Sequence, residues 1–402
     1  LTVDICIVGG GLVGLTAALA FAAQGRSVCL LEAVDLDMDD PARLDARSLA
    51  LSHSSMQIYR ALGLAQAVDA ASSAIRHIHV SSAGHFGVSR LAAADLGLAS
   101  MGQVIEYHLL LKLLLQAVRA HAAINLISPA SFVSLQQDES GVELSYQIGD
   151  EQDELSCALL VVADGANSSV REFLEINASL RDFGQSAIIA NVQIETDGDG
   201  VAYERFTGHG PLAMLPLPQR RYALVWSNKP ERAQALLNLS NDEFTQALYC
   251  DFGYRLGYFS ALGERSLFPL RLTRSDELVQ GRCVFIGNAA NTLHPVAGQG
   301  LNLALRDIAA LYDLMREQDL PGEAFGACLA GYPARRKHDQ NATVKLSSSL
   351  VRLFSNDYPV LNHARAAGLA ALDVCPLLKQ EFSWLGMGFG SGSSSLMRGV
   401  AI

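Results

Sequence analysis

The chain has 402 residues, 50% of them hydrophobic and 18% charged, enough to bury the cores of two interlocked domains of roughly 100–200 residues each. Its formal net charge of -11 offers no basic face for a phosphate backbone, which excludes nucleic acid as the partner and otherwise reads as solubility. Seven scattered cysteines (Cys6, Cys29, Cys157, Cys250, Cys283, Cys328, Cys375) with no CxxC pair argue for reduced, buried thiols in a cytosolic protein and against zinc.

Val3 to Val8 reads as a buried strand, followed by Gly9-Gly10-Gly11-Leu12-Val13-Gly14 and an Ala/Leu-rich helix expected from Val13 to Gln24. Gly25 stops that helix, and Ser27 to Leu31 forms a second strand ending at Glu32. This is a βαβ unit with GxGxxG between strand and helix, and with an acid about twenty residues on to take ribose hydroxyls. FAD or NAD suits it better than NADP; the rival reading is a tight turn whose glycines only allow close packing.

Pro41 to Ser52 carries Arg43 and Arg47 one helical turn apart, each suited either to a phosphate or flavin or to a surface ion pair. A helix is expected over Ser54 to Leu62, then a half-exposed strand over Ile75 to Val80 that has left the first sheet. Gly102-Gln103-Val104-Ile105-Glu106 leads into a helix from His108 to Ala122, whose richest apolar stretch is broken by Lys112 and Gln116 and is too short to span a bilayer. With no signal peptide ahead of Val3, the expected location is cytoplasmic.

A strand pair over Ala130 to Leu135 and Val142 to Tyr146 precedes Leu159 to Ala163, which delivers Asp164-Gly165 at its carboxyl end. Ser168 and Arg171 then open a helix, a second place for phosphate or ribose contacts. From Ala187 to Leu272 the pattern is mixed sheet, interrupted by a helix over Asp242 to Phe252, and reads as an inserted domain covering a cofactor. Cys283 to Ile286 then runs into Gly287-Asn288 and on through Pro295 to Gly298-Gln299-Gly300-Leu301-Asn302. That glycine-rich entry to a helix over Leu301 to Arg316 suits an anion or an electron-rich ring. Further helices reach Gly386, and the tail from Gly388 to Ser395 is expected to be mobile. The expected division is 1–75, 100–180 and 273–320 for a discontinuous cofactor domain, 76–99 and 181–272 for a sheet domain, and 321–402 for a helical region.

With these motifs in order, the sequence resembles the FAD-dependent aromatic hydroxylases, class A flavoprotein monooxygenases of the p-hydroxybenzoate hydroxylase fold. Asp45 to Leu51, Gly184 to Ala187 and Arg205 to Pro216 look most like the ubiquinone-biosynthesis branch. The resemblance implies an α/β fold, a Rossmann-like FAD-binding domain with an interleaved mixed β-sheet substrate domain and C-terminal helices. It implies FAD held by Gly9, Gly11, Gly14, Glu32, Arg47, Gln103, Asp164, Gly165, Asn288, Pro295, Gly298, Gly300, Leu301 and Asn302. NAD(P)H is then a transient reductant, O2 a co-substrate, and a lipophilic polyprenyl-phenol, 2-polyprenyl-6-methoxyphenol, the molecule hydroxylated.

Phe206, His209, Met214 and Trp226 are candidates either for the substrate pocket or for ordinary core. No catalytic base is legible. The family's usual Asp after Gly287 is Asn288 here, its common His is Asn291, and His294, before a proline at a turn, reads more readily as structural. Rival readings are hydroxylation at another ring position, a reductase or halogenase on the same scaffold, and a non-catalytic flavin-binding subunit of a ubiquinone-biosynthesis complex. Leu350, Val351, Leu353, Phe354, Phe382, Trp384, Leu385 and Phe389 read either as a peripheral surface for the inner face of a membrane or a partner, or as core helices.

Overall fold

The computed structural model describes residues 1–36, 47–84, 87–292, 298–316, 318, 320, 323–354, 368, 371, 373–388 and 394–400. From the amino terminus come β1 (Thr2–Val8), α1 (Leu12–Ala22), β2 (Val28–Leu31), β3 (Ser48–Ser52), α2 (His53–Ala61), α3 (Ala65–Ala71) and β4 (Ser73–Ile75). Next are β5 (His77–Ser82), β6 (Val88–Ala92), β7 (Gly102–Glu106), α4 (Tyr107–Ala120), β8 (Ile124–Ile127), β9 (Ser131–Gln137), β10 (Val142–Ile148), β11 (Glu151–Val162) and α5 (Ser169–Phe173). The middle is β12 (Ala178–Ile194), β13 (Val201–Thr207), β14 (Gly210–Leu217), β15 (Arg221–Asn228), α6 (Pro230–Leu237), α7 (Asn241–Phe252), β16 (Phe259–Leu262) and β17 (Ser266–Ser275). The chain closes with β18 (Val279–Gln280), β19 (Cys283–Phe285), α8 (Gln299–Met315), α9 (Glu323–Ala330), α10 (Tyr332–Phe354) and α11 (Pro376–Gly386).

The first sheet runs β18-β19-β11-β1-β2-β8, with β19, β11, β1, β2 and β8 parallel and β10 and β9 added antiparallel from β11. Its central strands end in unbroken apolar runs, 5–8 of β1, 28–31 of β2 and 157–162 of β11, because both faces are covered there. Ile5, Ile7, Leu30, Leu159 and Val161 pack under helices α1, α4 and α8, while Cys6, Cys29, Leu160 and Phe285 face Leu144 and Tyr146 of β10. Burial pushes the Cys29 and Cys283 thiols up to about 12, so they behave as small apolar groups.

The second sheet runs β16-β12-β15-β14-β13-β5-β6, with β17 also paired to β12. Its outer face carries Ile188, Leu212, Met214, Leu224 and Trp226 against α6 and α7. Its inner face presents Ala202, Leu215, Leu217 and Ala223 to Ala50 and Val104 of the small sheet β3-β7-β4 and to Phe382, Trp384 and Met387 of the C-terminal helix region. Arg221 on that face donates two hydrogen bonds to the buried Glu106 carboxylate, both at 2.9 Å, which ties the second sheet to the end of β7.

Several expectations change. The single strand expected over Ile75 to Val80 is two strands in different sheets, because the Arg76 and His77 amides both donate to the Gly200 carbonyl and turn the chain there. Phe382 and Trp384 pack, partly buried, on the inner-face cluster; the side chains of Leu350, Val351, Leu353, Phe354, Leu385 and Phe389 lie outside the described residues. The tail is not wholly free. Ser394 donates to the Ala309 carbonyl and Ser395 to the Asp313 carboxylate, and Leu396 and Met397 are buried against α8. No described helix is long and apolar enough to cross a membrane.

Candidate active site

Strand register builds the site. Val8, Val162 and Phe285 are neighbours at the carboxyl ends of parallel β1, β11 and β19. The three turns that leave them, Gly9 to Gly11, Asp164-Gly165 and Gly287-Asn288, therefore emerge side by side at one sheet edge.

The glycines of the first turn have separate reasons. Gly9 has φ +110°, and a Cβ there would strike the Ala163 carbonyl. A Cβ on Gly14 would overlap the Gly9 carbonyl oxygen, and one on Gly10 would press on the Glu32 side chain. Gly11 differs: φ is -72°, an ordinary value, and a Cβ would meet nothing within 4 Å. Gly11 caps α1 with no side-chain hydrogen bond and no acid in the first turn, so the helix N–H groups face open space across a bare backbone. Gly10, which sequence reasoning passed over, is the residue that lets Glu32 in. The Glu32 carboxylate accepts from the Gly10 amide at 2.5 Å and the Val34 amide at 2.8 Å, fixed beside that helix start.

In the second turn, Asp164 accepts from Ser169 Oγ and the Val170 amide through Oδ2, while its buried Oδ1 has no partner among the described residues. Ser168 and Arg171 do not reach outward as expected. Ser168 caps α5 by accepting from the Arg171 amide at 3.0 Å, and Arg171 donates to the Ala166 and Ala289 carbonyls, stitching the second turn to the third. In the third turn Gly287 has φ +60° and rests on Val13 of α1, and Asn288 is exposed. Asn291 is 5% exposed, yet neither its side-chain carbonyl nor its amide nitrogen has a partner among the described residues, an arrangement suited to a ligand.

At the start of α8, Gly298 adopts φ +60° against Ala50, and Gly300 again faces open space. Asn302 is spent inside the protein: it accepts from the Ser52 amide and Ser55 Oγ, and donates to the Ala50 and Gly298 carbonyls. Its side chain is a buried clasp between α8 and β3; beside it Leu301 packs partly buried on the first core. Gln103 is likewise engaged, donating to Asp69 and accepting from Ser72. Arg47 stacks over the Tyr107 and Phe268 rings, 5.2 and 5.4 Å from their centroids, where the small β3-β7-β4 sheet and the second sheet meet. Arg43, His294 and Pro295 lie outside the described residues.

Alternation sorts the four pocket candidates. Arg205 donates to the Asp251 carbonyl of α7 and Tyr203 meets Phe252 edge-on, so the residues between and beyond them, Glu204 and Phe206, point to the inner face. Met214 and Trp226 are fully buried on the outer face against α6 and α7, and His209 is exposed in the β13–β14 turn. Of the four, Phe206 alone is on the inner face. The residues sharing it are Ile189, Ala213, Leu215 and Val225, which stay half-exposed although they lie mid-sheet.

Glu204 sits among them with Ala213 opposite on β14 and Val80 opposite on β5. It has no hydrogen-bond or ionic partner among the described residues, and burial alone pushes its carboxyl up to about 7. Sequence patterning offered a signal, since Glu204 is an acid at an inward position of an apolar strand.

The chain matches the FAD binding domain family over residues 2–347. It is 35% identical to the ubiquinone hydroxylase UbiL of Rhodospirillum rubrum, over 99% of this chain and 93% of that protein. It is 32% identical to the 3-demethoxyubiquinol 3-hydroxylase of Escherichia coli, over 94% and 96%. Its fold superposes on p-nitrophenol 4-monooxygenase PnpA from Pseudomonas putida with a TM-score of 0.80, covering 98% of this chain and 99% of that one at 15% identity.

Proposed function

The chain belongs to the FAD binding domain family, in the ubiquinone-biosynthesis branch of the FAD-dependent hydroxylases, and from that premise we propose that it hydroxylates the ring of a polyprenylated phenol, 2-polyprenyl-6-methoxyphenol. It is a flavoprotein monooxygenase whose reductant is NAD(P)H. Bound FAD supplies the two-electron relay from NAD(P)H to dioxygen.

The residues fit that cofactor. The uncapped start of α1 behind Gly11 suits a pyrophosphate, and Glu32 keeps lone pairs for the adenosine ribose. The Oδ1 of Asp164 and the carboxamide of Asn291, both without partners among the described residues, suit ribityl hydroxyls or a ring edge, and Asn288 keeps an acceptor there. Gly165, Gly298 and Gly300 keep the neighbouring backbone bare. Arg47, Gln103, Pro295, Leu301 and Asn302 complete the proposed set, with Gln103 and Asn302 acting through the strands and turns they hold.

The observation that carries the substrate reading is the inner face: a central, half-exposed apolar strip of Ile189, Ala213, Leu215 and Val225 beside Phe206, on the face that meets the small β3-β7-β4 sheet, which carries Gln103 and adjoins Gly298 through Ala50. An aromatic ring with an apolar tail suits such a strip, and enclosure there keeps water from the reaction. The purified protein should be yellow, and a prenylated 2-methoxyphenol should accelerate its NAD(P)H oxidation. The product should gain one oxygen by mass, taken from labelled dioxygen. A panel of prenylated phenols that leaves NAD(P)H oxidation unchanged would sink the reading, and a panel member preferred at another ring position would move it to that step.

A further inference from the structure

We propose that Glu204 is the acid–base residue of this enzyme, accepting the hydrogen bond of the phenol's hydroxyl and taking its proton as the ring is hydroxylated; this rests on the phenol-hydroxylase reading above. Three observations place it there. The outward contacts of Arg205 and Tyr203 force Glu204 onto the inner face. The strip it shares is half-exposed and apolar, so its carboxyl is reachable by a ligand but poorly solvated. No described residue bonds to it, although a carboxyl in such surroundings is costly without a partner.

The surroundings leave the titration to Glu204 itself. Ala213 and Val80 flank it, and Ala202, Phe206 and Leu215 share its face without charge. The nearest ion pair on that face, Glu106 with Arg221, is closed on itself two strands away. On α11, Lys379 pairs with Asp95 at 3.7 Å and Glu381 is exposed. On α10, Arg336 and Asp339 are turned to α8, while Arg335, Lys337, His338 and Lys345 are exposed. With burial raising the carboxyl to about 7, the ionised form is a base matched to a phenol at neutral pH.

The step balances. The phenolic O–H bond breaks and its proton moves to a Glu204 oxygen, while the ring's electron pair forms the new carbon–oxygen bond. The oxygen comes from dioxygen, reduced by two electrons from NAD(P)H, and the second oxygen atom leaves as water. The ring then loses the hydrogen at the new C–O carbon as a proton to solvent, and Glu204 returns its proton to the phenol oxygen.

Glu204→Gln and Glu204→Asp holoenzymes, checked for flavin content by visible absorbance, test this with a short-chain prenylated 2-methoxyphenol. The wild type should lose kcat/KM as pH falls below about 7 and shift the bound phenol's absorbance toward phenolate at pH 8. Glu204→Gln should keep its flavin, form product on the order of 100-fold more slowly, lack both the acidic limb and the phenolate shift, and release more hydrogen peroxide per NAD(P)H. Glu204→Asp should restore part of the rate together with the limb. A Glu204→Gln enzyme within about threefold of wild type, or one as slow as predicted that keeps the acidic limb, overturns the assignment. A wild type indifferent to every phenol overturns the underlying reading instead.

Discussion

At the scale of single residues, Gly11 and Gly14 separate folding from binding. A methyl on Gly14 would overlap the Gly9 carbonyl, whereas one on Gly11 meets nothing in the protein. Gly14→Ala should therefore destabilise the β1–α1 turn by about 3 kcal/mol. Gly11→Ala should melt like wild type without FAD yet bind FAD roughly tenfold or more weakly, about 1.4 kcal/mol. Thermal melts with and without FAD, plus a flavin titration, read both; equal loss of stability in the two variants would mean that Gly11 is a packing residue. Glu204 gives the opposite signature. Its folded carboxyl lies above its usual 4.5, at about 7, so its contribution is fully present below pH 4.5 and lost as pH rises through 7, where ionisation opposes the fold. Glu204→Gln should therefore melt like wild type near pH 4.5 but be more stable by about 1–3 kcal/mol at pH 8. A variant less stable than wild type at pH 8 would mean that the carboxylate has a stabilising partner.

Among elements, β14 shows what period two decides. Ala213 and Met214 are adjacent, but one faces the half-exposed inner strip and the other is fully buried under α6 and α7. Ala213→Trp should keep fold and flavin while abolishing phenol-stimulated NAD(P)H oxidation. Met214→Ala should cost about 2–4 kcal/mol in urea melts and leave turnover at low temperature intact; a reversed pattern would invert the face assignment. The same strand shows what could be read in advance. The first βαβ unit was legible because glycines, apolar runs and Glu32 are local signals. Phe206 could be told from Met214 and Trp226 only once the sheet had an orientation, which comes from Arg205 meeting α7 and Arg221 meeting Glu106. Helix α6 was missed although Pro230 stands in its first turn, a helix start in plain view. Asn302 matched its motif by position, but its role as a clasp depends on Ser52 and Ser55, some 250 residues away in sequence.

For the whole molecule, the second sheet must hold a phenol at a fixed distance from the cofactor turns, and one charged contact fixes it to the small β3-β7-β4 sheet beside them. Arg221, in the second sheet, grips Glu106 at the end of β7 with two bonds, and Asn191 of β12 donates to the same carboxylate at 3.4 Å. Arg221 is 28% exposed in its side chain and Glu106 9%, so the pair is sheltered but not dry. Removing the guanidinium alone strands a nearly buried carboxylate, which should cost about 2–3 kcal/mol, whereas replacing both partners with apolar groups should recover most of that. Geometry should not recover with it, because an apolar pair lacks the two-bond fork that sets the angle between the sheets. Arg221→Met should thus lower stability and raise peroxide released per NAD(P)H oxidised. The double variant Glu106→Leu with Arg221→Met should regain stability while staying uncoupled. If coupling returned along with stability, the contact would matter only for holding the fold, and the position of the phenol would be set by the apolar strip around Leu215 and Val225 alone.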